Sequence, residues 1–178
     1  MPEPRPIPAG LVRASLRDLV LPMGLRVDLV EIVGQNLEIR QEPFEFKIEN
    51  PATLDVHVTE AALAEFLNAA APAGIRGFEV RIKPAGIEVE ATAKLLMEVR
   101  VLAVCTLTVK DQTALYVKLE SAEVLSGLKG ISPRSLIESR LQDLNPILDA
   151  TQFPVAATID SVSLEVGLLR LQGSVAPK

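Results

Sequence analysis

From Leu95 to Val109 every second residue is apolar: Leu95, Met97, Val99, Val101, Ala103, Cys105, Leu107 and Val109. The residues between them, Leu96, Glu98, Arg100, Leu102, Val104, Thr106, Thr108 and Lys110, are mixed. Alternation at period two marks a strand with one face in a core and the other largely in water. At about 3.3 Å per residue this strand would extend roughly 45–50 Å, against ~17–20 Å for an ordinary one. A ribbon of that length has to wrap something apolar.

The material available for the interior is aliphatic. Hydrophobic residues make up 48% of the 178 residues, aromatics only 3%, and Trp is absent. Such an interior supplies smooth walls rather than stacking platforms, which speaks against nucleic acid bound through its bases. A formal net charge of −5 also offers no basic footprint for a phosphate backbone. No stretch approaches the ~18–20 continuous apolar residues of a spanning helix. The start of the chain, with Pro2, Pro4, Pro6 and Pro8, lacks the apolar segment of a secretory signal, so a cytoplasmic location is expected, or an extracytoplasmic one if a leader was removed. Cys105 is the single cysteine and has no intramolecular partner for a disulfide.

Residues 1–10 read as a Pro-rich tail and 11–178 as one domain. Leu11 to Val20 fits a strand or a short amphipathic helix. Leu25, Val27 and Leu29 alternate with polar residues, and Gly34-Gln35-Asn36 predicts a turn before Leu37-Glu38-Ile39-Arg40. Phe44, Phe46 and Ile48, then Leu54, Val56 and Val58, read as further half-buried strands. At Thr59 the period changes: Thr59 is a good N-cap, and Ala62, Leu63, Phe66, Leu67 and Ala70 fall at helical spacing until Pro72 and Gly74. Phe78, Val80 and Ile82 return through Pro84-Ala85-Gly86 to Ile87, Val89 and Ala91, and the long strand returns through Asp111-Gln112 to Leu115, Val117 and Leu119. Ser132 is expected to cap a second helix with Pro133 at its first position. Its stripe is Leu136, Ile137, Leu141 and Leu144, with Pro146 kinking or ending it and Ile147 and Leu148 continuing it. A final hairpin turns at Gly167. The order of elements predicts an α+β fold, a long curved antiparallel sheet wrapped around two amphipathic helices.

The runs Phe44-Glu45-Phe46-Lys47-Ile48-Glu49-Asn50-Pro51, Val56-His57-Val58-Thr59-Glu60-Ala61-Ala62-Leu63 and Phe66-Leu67-Asn68, with the closing Leu168-Leu169-Arg170-Leu171-Gln172-Gly173-Ser174, resemble the LmeA-like phospholipid-binding family. The resemblance spans roughly residues 25 to 175 and lies in hydrophobic alternation with few fixed polar residues. It implies an extracytoplasmic lipid-binding module of tubular lipid-binding architecture, with acyl chains between sheet and helices. It transfers no catalytic residue.

The polar residues offer little other chemistry. His57 is the only histidine and shares a strand face with Asp55, but no G-x-S-x-G elbow or second metal ligand accompanies it, so a solvated strand face is expected. Cys105 lies within the apolar face and reads as a small buried hydrophobe. Glu88 and Glu90 share a face and read as outward and solvated. Gly127-Leu128-Lys129-Gly130 lacks Walker spacing and reads either as a plain turn or as backbone donors for a phosphate ahead of the second helix.

The helical stripes fit a closed core or a lipid groove, and the resemblance favours the groove. The expectation is therefore a non-enzymatic protein that binds phospholipid or fatty-acyl chains, for carriage or sensing, with a bound lipid in place of any cofactor and no metal. Its cleft would be lined by Leu63, Phe66, Leu67, Met97, Val99, Val101, Ile137, Leu141 and Leu144, with Lys129 and Gly130 near the headgroup. Peripheral membrane contact fits this reading. The first rival is a structural or assembly protein whose apolar surfaces bind a protein partner or a second copy; the second is a hydrolase acting on lipids or esters through a site the sequence does not mark.

Overall fold

In the computed structural model, which describes residues 7–41, 44–48, 50–94, 97–127, 132–153 and 155–176, the period-two segments are strands and the two segments of helical period are helices. The strands are β1 (Ile7–Val20), β2 (Arg26–Gln41), β3 (Phe44–Ile48), β4 (Ala52–Thr59), β5 (Ile75–Lys83), β6 (Gly86–Lys94), β7 (Glu98–Lys110), β8 (Ala114–Ser126), β9 (Leu148–Asp149), β10 (Ala156–Glu165) and β11 (Leu168–Ala176). The helices are α1 (Glu60–Ala69) and α2 (Arg134–Leu144). The α+β antiparallel architecture expected from the sequence is present, with its strands divided between two sheets. One runs β1-β2-β4-β11-β10, with β3 also on β2; the other runs β5-β6-β7-β8-β9 and curls into a half-barrel.

Four local expectations are corrected. The segment at Leu11 is strand, and it begins at Ile7, so residues 7–9 of the expected Pro-rich tail pair with β2. No turn forms at Gly34-Gln35-Asn36: Gln35 faces Leu11 and Leu37 faces Ala9 across β1, while Asn36 takes a left-handed φ of 55°. Pairing with a neighbour has overridden local turn propensity there. The long strand begins at Glu98, with Met97 just ahead of it and Leu95 and Leu96 outside the described residues; its 13 residues still reach about 43 Å. At α2, Pro133 rather than Ser132 holds the cap position, in αR geometry, and no side chain caps the helix. Pro146 does follow its end, but Ile147 and Leu148 leave the helical stripe and pack on the main core. The Ile147 amide donates to the Leu115 carbonyl at 2.9 Å, which draws the chain onto β8.

The larger core joins both sheets. Val27, Val30, Val58, Ile159, Leu169 and Leu171 meet Val80, Ile82, Ile87 and Leu115 of the second sheet. Helix α1 is wedged at the junction, with Ala62 fully buried. Thr59 Oγ1 caps it by accepting from the Ala62 amide at 3.3 Å, and Glu60 Oε1 accepts from the Ile82 amide at 2.7 Å. At its far end the Asn68 side chain both donates to and accepts from the Phe78 backbone, at 2.9 Å each, where β5 slips register against β6. These contacts fix α1 against β5.

Candidate functional site

Directly opposed residues on neighbouring strands point to one face, so the pairings of the second sheet define an apolar ladder. Its rungs are Ile82–Ile87–Cys105–Leu119, Val80–Val89–Ala103–Ala122, then Ala91–Val101–Val124, then Ile75–Ala93–Val99. Pairing with β7 skips Glu120 and Leu125, two bulges in β8 of the kind that increase local twist and bend a sheet. The first end of the ladder is sealed by the larger core. In the middle, Ala103, Cys105 and Leu119 form a separate small cluster with Val117, Ala122, Ile137 and Leu141. Toward the far end, Ala91, Val101 and Val124 are half-buried and Met97 and Leu125 are exposed at the rim.

Helix α2 lies across the middle of this face. Polar contacts hold both its ends to β8. At the start, Arg134 Nη1 donates to the Glu120 carbonyl at 3.1 Å; at the end, the Asn145 side chain pairs with Val117 like a strand residue, accepting from its N–H and donating to its C=O at 2.8 Å each. Between these clips no residue of α2 is buried. Ile137 and Leu141 rest on the small cluster, while Leu136 and Leu144 face solvent.

The nine candidate lining residues therefore separate. Leu63 and Leu67 pack on the larger core and Phe66 is half-buried on the same helix, so the α1 stripe closes the junction of the sheets. Ile137 and Leu141 meet the other cluster, next to the ladder rungs of Val99, which is buried, and Val101. Leu144 and Met97 are exposed. Lys129 and Gly130 lie outside the described residues. Two pockets are lined by none of the nine. One of about 360 Å³ at the end of the first sheet is lined by Pro51, Val155, Ala156, Ala157, Ala176 and neighbours; one of about 180 Å³ has Arg76, Lys94 and Glu98 around it.

The polar candidates are engaged elsewhere. His57 is not on a freely solvated face: its Nε2 lies 3.2 Å from Asp55, and Arg170 Nε donates to both Asp55 oxygens at 2.8 and 3.1 Å, in a half-buried group across β4 and β11. The Arg170 guanidinium beside Asp55 holds that carboxyl below the usual carboxylate range. Glu88 and Glu90 are not a carboxylate pair, because each binds a cation, Lys83 at 2.6 Å and Arg100 at 2.7 Å. Cys105 is buried as expected, and burial pushes its thiol up to about 11. Among the described residues no group of three or more His, Cys, Asp or Glu is placed to hold a metal ion, and no helix is long and apolar enough to cross a membrane.

The Asn145 clip and the Arg134 contact were not foreseen. Asn145 precedes Pro146 and so reads as turn chemistry, and nothing in the sequence marks a side-chain amide that will pair with a backbone 28 positions away.

Compared with known proteins, residues 12–174 match a family model described as LmeA-like phospholipid-binding, a span that runs from β1 into β11 and takes in both helices. No curated protein and no solved structure matches the chain.

Proposed function

The chain belongs to the LmeA-like phospholipid-binding family, and from that premise we propose that it is a reversible, non-enzymatic phospholipid carrier whose acyl chains lie along the apolar ladder of the second sheet, beneath α2. The observation that carries this reading is the way α2 is held. A helix held by polar bonds at its ends, with no residue of it buried between them, can swing away when a clip opens without disturbing the larger core. Beneath it the sheet is apolar from rung to rung, so an inserted chain meets no unpaired polar group.

Each methylene taken out of water contributes ~0.8 kcal/mol. Ten of them supply about 8 kcal/mol, equivalent to roughly micromolar binding before the cost of ordering the chain. The ladder offers only aliphatic contacts, which recognise acyl chains and discriminate weakly among headgroups. Nothing in this reading draws on His57, whose imidazole sits with Asp55 on β4, in the other sheet.

Organic extraction of the purified protein followed by mass spectrometry is expected to yield phospholipid, and the delipidated protein is expected to take up a fluorescent phosphatidylglycerol. Leu141→Trp should block that uptake with little change in melting temperature. Clean extracts with no uptake of added lipid would sink the proposal. If Leu141→Trp instead lowers stability by ~1–3 kcal/mol through overpacking and leaves uptake intact, Leu141 belongs to a closed core and the site is wrongly placed.

A further inference from the structure

The first sheet carries an edge of a kind that natural sheets rarely leave open. Among the described residues, β1 pairs with β2 alone, so the backbone groups of its other edge have no strand partner over a 14-residue length. Every residue from Gly10 to Val20 is exposed, including Leu11 at 60%, Leu16 at 46% and Val20 at 62%. Proteins usually blunt such edges with charged side chains, lysine above all, or with proline, strong bulges or short strands. Beyond Pro8, β1 has no proline or lysine, and its only left-handed residue is Asp18, near one end.

We infer that β1 is a self-association edge, pairing antiparallel with β1 of a second copy so that the two six-stranded sheets become one continuous sheet. A lipid surface suits this edge poorly, because hydrocarbon cannot satisfy the open N–H and C=O groups. A strand can. The charges permit a second copy and restrict its register. The only charged residues of β1 are Arg13, Arg17 and Asp18. In a two-fold antiparallel pair, one residue lies opposite its own counterpart and the others pair symmetrically about it. Centring on Arg13 or Arg17 opposes an arginine to itself, and centring on Ser15 sets Arg13 against Arg17; like charges directly opposite are destabilising. Centring on Ala14 opposes no like charges. It places Val12 opposite Leu16, Arg13 opposite Ser15 and Leu11 opposite Arg17, and it uses residues 8–20 of each copy. Centring on Val12 or on Leu16 is also free of repulsion but uses only residues 7–17 or 12–20. The strand is thus self-complementary about Ala14.

Sedimentation velocity on the full chain tests this, with a species at twice the 19.2 kDa monomer mass expected. Ala14→Arg places like charges at the axis and should weaken dimerisation by about fivefold. Ala14 is exposed, so the variant should melt as the wild type does. Ala14→Cys should cross-link to its own counterpart under oxidation, since directly opposed Cα atoms lie within disulfide reach. Cys105 is buried and stays silent, and Arg17→Cys, which would face Leu11, should cross-link at least about tenfold less. Three results would overturn the inference: a wild type that is monomeric at the highest concentration it tolerates, a dimer indifferent to Ala14→Arg, or equal cross-linking at positions 14 and 17. A monomer that co-floats with phosphatidylcholine–phosphatidylglycerol vesicles, and loses this with Leu16→Asp, would replace it with a membrane-contact role for β1.

Discussion

Replacing Asn145 with Ala tests whether α2 is a separately opening strap. The side chain makes two hydrogen bonds to Val117, at 2.8 Å each, in a half-buried setting. A net contribution of ~0.5–1.5 kcal/mol per bond gives about 1–3 kcal/mol for the pair. What remains to hold the helix is Ile137 and Leu141 on the small cluster and the Arg134 bond at the other end. Native-state hydrogen exchange by mass spectrometry reads the effect directly. In the wild type, amides of α2 should exchange through an opening of lower free energy than those of β7, because sub-global units open independently of the core. In Asn145→Ala, that opening should become about 5–150-fold more frequent, the same 1–3 kcal/mol expressed as a ratio. Delipidated protein should also load lipid faster. If α2 and β7 share a single exchange free energy in the wild type, or if α2 protection in the variant changes less than about threefold, the strap picture is wrong.

Three further outcomes rest on particular contacts. A Cβ on Gly173 would stand 1.9 Å from the Thr158 carbonyl oxygen, a backbone atom that cannot step aside, so Gly173→Ala should lose more than ~4 kcal/mol or fail to fold. Gly10→Ala, with nothing within 4 Å of the added carbon, should stay within about 0.5 kcal/mol by urea unfolding. Because Arg170 depresses the Asp55 carboxyl in the folded state, that group contributes stability above its unfolded value near ~3.9 and loses it as pH falls through the lower folded value. Asp55→Asn should therefore be less stable than the wild type at pH 7, and the gap should close below about pH 4, measured by thermal melts across pH.

Much of the architecture was legible because it rests on local periodicity. The alternation of residues 98–110, the cap at Thr59 with the helical stripe behind it, and the turns at 84–86 and 111–112 each concern residues close in sequence. The left-handed φ values of Asp111 and Gln112 show why that last turn was readable. What was not legible depends on partners far along the chain. Gly34-Gln35-Asn36 carries turn chemistry and yet continues a strand, because β1 supplies a pairing partner on both sides of Asn36. The candidate lining residues were read as one cleft because both helices carry apolar stripes. Which stripe closes a core and which merely rests on a sheet is decided by where each helix is clipped. Those clips, Asn68 on Phe78 and Asn145 on Val117, are side-chain amides standing in for strand backbone, a role no pattern announces.

The first sheet is assembled from both ends of the chain, β1 to β4 from the first part and β10 and β11 from the last, whereas the second comes from the middle, as consecutive hairpins β5 to β8 with β9 added after α2. The β4–β11 seam, marked by Asp55 and Arg170 at a separation of 115 residues, closes a long loop before any contact rewards it. The β5–β8 meander can form from neighbours as they emerge during synthesis, while β4 waits with an open edge for the final strand. Until then half of the larger core has no lid, and β2, β4 and the apolar β1 are exposed together. This interval, rather than the finished molecule, is where the chain is most vulnerable to aggregation, and a chain cut short before β11 would remain in it.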